Sequence, residues 1–406
     1  LALSWRRNLF AVTATSFIGF TGFTLVMPFL PLYFRQLGVD DVGEIALWSG
    51  LSLGVTPALT ATLSPFWGRL ADRFGRKIMV ERSLVSFVFI MTGMAYVTRP
   101  WHVFALRAVQ GIFAGYGALS LTMAADSAPR DRMASAIGTV QTAQRLGPAL
   151  GPAIGGVVAQ FAGLRHAFLV TAGFYFAALI LIFFLYDERA SHHIVDPESG
   201  RVSFRNVLAF ENFILLMTVI FGLQFVDRTF GPVLTLYVAQ LGTPPSRAPL
   251  VSGLLFSIGA CATALGHHVC GYLLQRAPAR VIIGTSAGLA AAGAIAYAVA
   301  GTTWILMLAT PVFGLAIGTG STAAYAAAGT IVPASARGAG FGLLTTASLT
   351  GLALSPIVSG FLGATSIRLV FVLDVIALAA LGLAVTRIMI TTPFTAETQP
   401  EAVEEM

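Results

Sequence analysis

Asp227 and Arg228 stand side by side near the middle of an apolar run over 211–240. Gln224, Asp227, Gly231 and Thr235 form a polar stripe at helical spacing along it. A carboxylate held out of water takes up a proton more readily than one in solution. Asp227 is therefore a candidate proton-exchanging group. The alternative is a static ion pair with Arg228, or with Arg107 from another apolar run. Arg107 lies in the string Arg107-x-x-Gln110-Gly111. A buried arginine costs at least ~2.5 kcal/mol at a membrane helix centre, so it should face a wet cavity or a partner unless it snorkels to the surface. Gln141, Gln144 and Arg145 share one face of a further run and are candidates for the same cavity wall. Asp374 is the other acid within an apolar run.

A second constellation is the segment Gly68–Lys77, where Arg69, Arg73, Arg76, Lys77 and Asp72 crowd between two long apolar stretches. Such a charge density requires a tight turn at a membrane face, and its cations place that face in the cytoplasm. Gly68 and Gly75 permit a sharp turn and close helix approach. Asp72, Arg76 and Asp126 are candidates for one charged cluster, the plainer reading being interfacial charges that anchor topology. A third string, Gly147-x-x-x-Gly151-Pro152-x-x-Gly155-Gly156, spaces small residues so that a neighbouring helix can approach closely. Pro148 and Pro152 each remove an intrahelical hydrogen bond and bend the helix.

Other chemistries are excluded or weak. The sole lysine, Lys77, follows Arg76, so no phosphate-binding G-x-x-x-x-G-K-[ST] loop exists. There is no H-E-x-x-H, and His267-His268 has no carboxylate at metal-ligand spacing, so no metal is expected. Gly284-Thr285-Ser286-Ala287-Gly288 matches G-x-S-x-G, but a run so rich in Gly, Ala and Ser produces that string easily, and an enzyme is not expected. Cys261 and Cys270 lie nine apart on one expected helix, hence on opposite faces, and both read as small core residues.

The elements that must position these groups are membrane helices. The chain has 406 residues, 56% hydrophobic and 10% charged, against about 25% charged in soluble domains. The net charge of +6 sits in short loops rather than in the stripes of a nucleic-acid binder. A span needs roughly 20 mostly apolar residues. Spans are expected near 9–34, 43–67, 79–98, 102–124, 133–160, 165–186, 211–240, 249–274, 280–299, 303–328, 338–362 and 367–388. The polar stretch 187–210 reads as a cytoplasmic linker between halves 1–186 and 211–390, and the acidic tail 391–406 as disordered. No cleavable signal peptide is expected, since the first apolar run is too long. Placing both termini in the cytoplasm puts sixteen of the 24 Lys and Arg on inner loops and helix ends and five outside, a clear positive-inside bias.

The halves repeat. A shift of 203 carries Gly68, Leu70 and Arg73 onto Gly271, Leu273 and Arg276, and Gly111, Gly115 and Gly117 onto Gly314, Gly318 and Gly320. A shift of 204 carries Pro28, Leu32, Tyr33, Gln36, Leu37 and Gly38 onto Pro232, Leu236, Tyr237, Gln240, Leu241 and Gly242. Two duplicated bundles meeting at a central cavity is a transporter architecture. Phe17, Phe20, Phe23, Met27, Phe113, Tyr116, Met123, Phe221, Phe225, Phe230 and Tyr325 are candidates for an adaptable apolar pocket there.

Gly68–Lys77 fits G-x-L-x-D-R-x-G-R-K throughout and resembles the loop between spans two and three of the major facilitator superfamily. Arg107-x-x-Gln110-Gly111 resembles that superfamily's R-x-x-Q-G. The fifth-span string resembles the G-x-x-x-G-P-x-x-G-G of its twelve-span drug–proton antiporter branch. The likeness runs over nearly the whole chain. It implies an all-α membrane protein with twelve transmembrane helices in two pseudo-symmetric six-helix bundles. It implies export of lipophilic or amphipathic small molecules by proton antiport with alternating access. Gly68, Asp72, Gly75, Arg76 and Asp126 would latch the cytoplasmic side. Gly147, Gly151, Pro152, Gly155 and Gly156 would form a hinge, and Asp227, Arg107 and Arg228 would couple protons. The last span lies outside the cavity in that fold, which ranks Asp374 below Asp227. Phe20, Met27, Gln110, Phe113, Tyr116, Gln141, Gln144, Arg145, Gln224, Phe225 and Tyr325 are the expected substrate contacts. The expected partners are a small-molecule substrate, protons and the bilayer of a bacterial inner membrane, with no cofactor and a monomeric chain. The rivals are export of a specific sugar, siderophore or lipid metabolite, and a lipid-binding or sensor protein that does not transport.

Overall fold

Backbone in hydrocarbon must satisfy its own hydrogen bonds, so long apolar runs fold as helices. The computed structural model describes residues 2–129, 132–188, 208–332 and 337–389. Its elements are α1 (Ala2–Leu25), a 3₁₀ turn (Met27–Phe29), α2 (Leu30–Gln36), α3 (Val42–Phe74), α4 (Arg76–Tyr96), α5 (Pro100–Phe113), α6 (Tyr116–Ser127), α7 (Met133–Phe161) and α8 (Leu164–Leu185). The second half comprises α9 (Phe213–Arg228), α10 (Leu234–Gln240), α11 (Ala248–Leu273), α12 (Ala279–Ala298), α13 (Thr303–Ile331), α14 (Arg337–Thr365) and α15 (Ile367–Ile388). Among the described residues, ten helical segments are long and apolar enough to cross a membrane. The two further spans expected from sequence correspond to α7, which carries Gln141, Gln144 and Arg145, and to the interrupted pair α9–α10. The tail from 391 and most of the 187–210 linker lie outside the described residues.

Three expected spans are broken rather than continuous. The first turns 3₁₀ at Met27–Phe29, where Pro28 and Pro31 remove backbone donors. The fourth opens at Ala114–Gly115, with Gly115 at φ +123. The freed carbonyls are taken by side chains: Arg82 donates to Phe113 O at 3.0 Å and Trp67 Nε1 to Ile112 O at 2.6 Å. The seventh opens between Arg228 and Leu234, and Ser355 and Ser359 donate to the carbonyls of Phe225 and Thr229, both at 2.5 Å.

The internal repeat is visible as paired contacts. Tyr33 donates to Met94 O at 2.5 Å, and Tyr237 donates to Tyr297 O at 2.8 Å. Gly38 and Gly242 end the two equivalent short helices at φ +90 and +88. Helices α1 and α3–α8 pack together, as do α9–α15, and two pairs join the groups: α3 with α14, and α7 with α11.

Those two pairs meet at the end remote from the Gly68–Lys77 loop. A methyl group added at Gly50 would overlap the Pro356 carbonyl oxygen and stand 2.8 Å from Gly360 Cα. A methyl group at Gly253 would overlap the Pro152 carbonyl oxygen and stand 3.2 Å from Gly156 Cα. These are the same contact twice, because Gly50 and Gly253 are repeat equivalents, as are Pro152 and Pro356. At the loop end the same four helices stand apart: a methyl group at Gly68, Gly138, Gly271 or Gly342 would meet nothing within 4 Å. The cleft between the two groups is therefore sealed at one end and open at the other.

Candidate functional site

The far part of the seventh-span stripe meets the opposite half. Gly231 lies against Leu53 of α3, and the Thr235 hydroxyl donates to the Pro28 carbonyl, both in the opposite half. Asp227 lies before the break and pairs with Arg228 at 3.1 Å, their side chains 23% and 48% exposed. The pair is thus partly solvated. Phe225 packs on Phe221 with ring centroids 6.0 Å apart, and Gln224 lies beside Gly351 of α14.

Arg107 sits elsewhere. It is 3% exposed, between α1, α3 and α5. Its Nη1 donates to Gln110 Oε1 at 2.7 Å and its Nε to Ser52 O at 3.2 Å, with Met27 Sδ 3.9 Å from Nη2 and Phe23 beneath the guanidinium. Arg107 and Gln110 thus partner each other, with no carboxylate among these partners. Three aromatic expectations are corrected. Phe113 turns toward Trp67 and Arg82 rather than the cleft. Tyr116 is buried against Phe20 and Phe87. Phe230 is buried in a cluster with Tyr297, Phe313 and Phe371. Each lies at a helix break: Phe113 and Tyr116 flank the one at Ala114–Gly115, and Phe230 lies within the one between Arg228 and Leu234.

Cleft-facing groups from both halves come near one another lower down. Arg145 of α7 is exposed and lies within electrostatic reach of Tyr325 and His267 of the opposite half. His267 shares a hydrogen bond with Thr322 at 2.7 Å. Gln141 is exposed nearby, and Gln144 donates to Gly117 O at 2.9 Å. An apolar groove of about 470 Å³ runs beside them, lined by Phe10, Phe17, Leu146 and Ala143 among others. Cys261 is exposed, against expectation, while Cys270 is buried. Ser286 lies buried inside α12 rather than on an exposed turn, which removes the serine-nucleophile reading. No metal-binding group of side chains occurs among the described residues.

The fifth-span string divides its work. Gly147, Gly151 and Gly155 lie against Thr21, Thr24 and Leu25 of α1, inside one half. Pro152 and Gly156 face α11 of the other half, and the Ala153 N–H donates across to Ser257 Oγ at 3.0 Å. Ser257 escaped the sequence reading because nothing in its surroundings marks it.

At the charged loop, Arg76 forms an ion pair with Asp126. The Asp72 side chain lies outside the described residues. A residue missed from sequence completes the loop: Glu188 Oε1 accepts from the Arg76 and Lys77 N–H groups at 2.6 and 3.3 Å. These are the free donors of the α4 N-terminus, where a carboxylate is favoured. Gly75, at φ +98, leaves the room: a methyl group there would lie 2.7 Å from Glu188 Oε2. Lys77 Nζ donates to the carbonyls of Phe183 and Tyr186 at 2.8 Å each. The one signal in the sequence was an α4 start with no capping side chain of its own.

Asp374 needs the largest revision. It is fully buried in α15, and its Oδ2 lies 2.8 Å from Thr229 Oγ1, at the point where the seventh span breaks.

The chain resembles known proteins along its length. A family model described as "Major Facilitator Superfamily" matches residues 12–309 and 216–405. "Multidrug resistance protein MdtG" of Yersinia enterocolitica is 34% identical over 284 residues, covering 70% of this chain and 69% of that protein. The "Multi-drug resistance efflux pump PmrA homolog" of Lactococcus lactis is 34% identical over 277 residues, 67% of each chain. Among solved structures, an inward-facing, unoccupied bacterial homolog of the human lysosomal transporter Spinster has a TM-score of 0.79 at 18% identity, covering 96% of this chain and 99% of that one. The nucleoside transporter NupG has a TM-score of 0.74 at 15% identity, covering 94% and 100%.

Proposed function

Because this chain belongs to the major facilitator superfamily, and is a multi-pass membrane transporter rather than an enzyme, we propose that it exports lipophilic or amphipathic small molecules by proton antiport. It works as a monomer in a bacterial inner membrane, both termini cytoplasmic, without a cofactor. The observation that carries this reading is the doubled contact of Gly50 on Pro356 and Gly253 on Pro152, closed at one end of a cleft whose other end is open. A two-ended cleft with one end shut is what alternating access requires. The apolar groove beside α1 and α7 suits lipophilic cargo better than a sugar. The similarity to proteins named for multidrug resistance supports the same choice.

Asp227 is the proposed coupling acid. It lies beside the break in the seventh span, and it and its partner Arg228 are partly exposed, so substrate or a proton can displace the pair. The driving force suffices: at ~2.3 kcal/mol per charge per 100 mV, a motive force of ~150 mV gives about 3.5 kcal/mol. That corresponds to several-hundredfold accumulation per proton, at about 1.4 kcal/mol per tenfold. The test uses proteoliposomes with an imposed pH gradient and a lipophilic dye. Dye addition should release protons, and Asp227→Asn should abolish that release while leaving dye binding intact. Normal accumulation by Asp227→Asn would remove Asp227 from the mechanism.

A further inference from the structure

Behind the seventh span lies a second acid whose hydrogen bonds can be counted. Asp374 is 0% exposed. Among the described residues its Oδ1 has no hydrogen-bond partner, and its Oδ2 lies 2.8 Å from Thr229 Oγ1. That same hydroxyl oxygen lies 2.9 Å from the Val226 carbonyl oxygen. A threonine hydroxyl carries one hydrogen. The Val226 carbonyl can only accept, and in the last turn of α9 its one backbone donor is the Thr229 N–H, long at 3.4 Å. If Thr229 gives its hydrogen to Val226, the contact with Asp374 needs a hydrogen from the acid.

The surroundings give an ionised carboxylate no support. On α9 the charged residues are Asp227 and Arg228, which pair with each other. Asp227 and Thr229 are two residues apart, about 200° around a helix. On α12 the titratable groups are Tyr297, whose hydroxyl shares a hydrogen bond with Thr310, and Arg280, which donates to the Thr386 carbonyl. On α13 the titratable group is Tyr325, which belongs with Arg145 in the cleft. The described side chains of α14 include no titratable group, and Ser355 and Ser359 there are committed to backbone carbonyls. On α15 itself, Arg368 donates to Ala300 O and Arg387 lies in the last turn. Tyr237 of α10 is bonded to the carbonyls of Tyr297 and Ala300. A buried ion without a partner is strongly disfavoured, and the group neutralises instead.

We propose that Asp374 is a second proton-binding site, loaded in this conformation, and that it acts on the break in the seventh span. Loss of its proton as H⁺ leaves a carboxylate that draws the Thr229 hydrogen to itself. The Val226 carbonyl then keeps only the long Thr229 N–H contact at 3.4 Å, and the last turn of α9 loosens next to the break that Ser355 and Ser359 hold. One span thus carries two acid-linked contacts: Asp227 with Arg228, and Asp374 through Thr229. The use of this site in transport rests on the proton-antiport reading, whereas proton binding itself does not.

The experiment is infrared spectroscopy of the full chain in lipid. At neutral pH the protein should show the carbonyl stretch of a protonated, buried carboxylic acid, shifted in D₂O and absent from Asp374→Asn. Thr229→Val should move that band without abolishing it. Identical spectra for the parent protein and Asp374→Asn would overturn the proposal. Should Asp374→Asn fail to fold, the Thr229→Val comparison decides alone, and an unmoved band refutes it. Amide hydrogen exchange at 226–234 should rise in the pH range where the band disappears, and should not rise in Asp374→Asn. Exchange that ignores the band refutes the link to the break. Vesicles that transport without proton release, with the band intact, would sink antiport and leave the site standing.

Discussion

Replacing Gly50 with alanine tests the sealed end of the cleft directly. The added carbon would stand 2.8 Å from Gly360 Cα and 3.1 Å from Gly360 N, besides overlapping the Pro356 carbonyl oxygen. Carbon atoms rest about 3.5–4.0 Å apart, so α3 and α14 must separate by about 0.7 Å or more. The obstructing atoms are all backbone, and no side chain can swing away. Overpacking of this kind costs about 1–3 kcal/mol. The cost falls only on the state with this end shut, so it moves the equilibrium toward opening there by roughly 5- to 150-fold, at about 1.4 kcal/mol per tenfold. Gly253→Ala acts on the other helix pair, and the two effects should add because the contacts share no partner. Spin labels at Asp40 and Arg247, exposed on opposite halves near the sealed end, would read the separation by pulsed electron resonance. The parent protein should give mainly the short distance, Gly50→Ala a grown long-distance population, and the double variant mostly the long one. Gly138→Ala, at the open end, is the control and should leave the distribution unchanged. A folded Gly50→Ala protein with the parental distribution would refute the steric reasoning.

Three other outcomes are expected. Glu188→Ala removes the acceptor at the α4 N-terminus and should lower stability by about 1–2 kcal/mol; Gly75→Ala, measured by thermal melting, should cost less in that background than alone, because the crowding carboxylate is gone. Arg82→Leu removes both the donor to Phe113 O and the guanidinium 3.5 Å from the Trp67 ring, a loss of about 2 kcal/mol; trypsin should then cleave the detergent-solubilised protein faster, and an unchanged rate would count against Arg82 as the brace of the fourth-span break. Ser359→Ala should raise amide exchange around Thr229 without altering exchange in α5 and α6, since its hydroxyl serves only the seventh-span carbonyl.

The parts of the fold legible in the sequence are those that repeat or punctuate. Tyr33 and Tyr237, like Gly38 and Gly242, stood out because each appears twice at one spacing, and each pair performs one task twice. The charged segment Gly68–Lys77 was legible as the end of a span because hydrocarbon tolerates no such segment, but the turn is narrower than expected: α3 runs on to Phe74 and only Gly75 separates it from α4. The breaks in the fourth and seventh spans were not legible. Their apolar runs continue unbroken, and what stabilises each break is a donor 30 to 130 residues away: Arg82 and Trp67 for one, Ser355 and Ser359 for the other. The same cause hid the directions of Phe113, Tyr116 and Phe230, since all three lie at or within a break, where helical period does not hold. Asp374 was visible as an acid in an apolar run, yet period alone could not say that its face meets Thr229.

The row of glycines that lets α7 lie directly on α1 has a mechanical meaning. With Gly147, Gly151 and Gly155 seated against Thr21, Thr24 and Leu25, the two helices cannot slide or twist past each other without backbone collision, and so they travel as one beam. The side of that beam turned to the other half carries the Pro152 and Gly156 seal. Any displacement of α1 therefore moves the shutter itself, with no intervening linkage to lose the stroke.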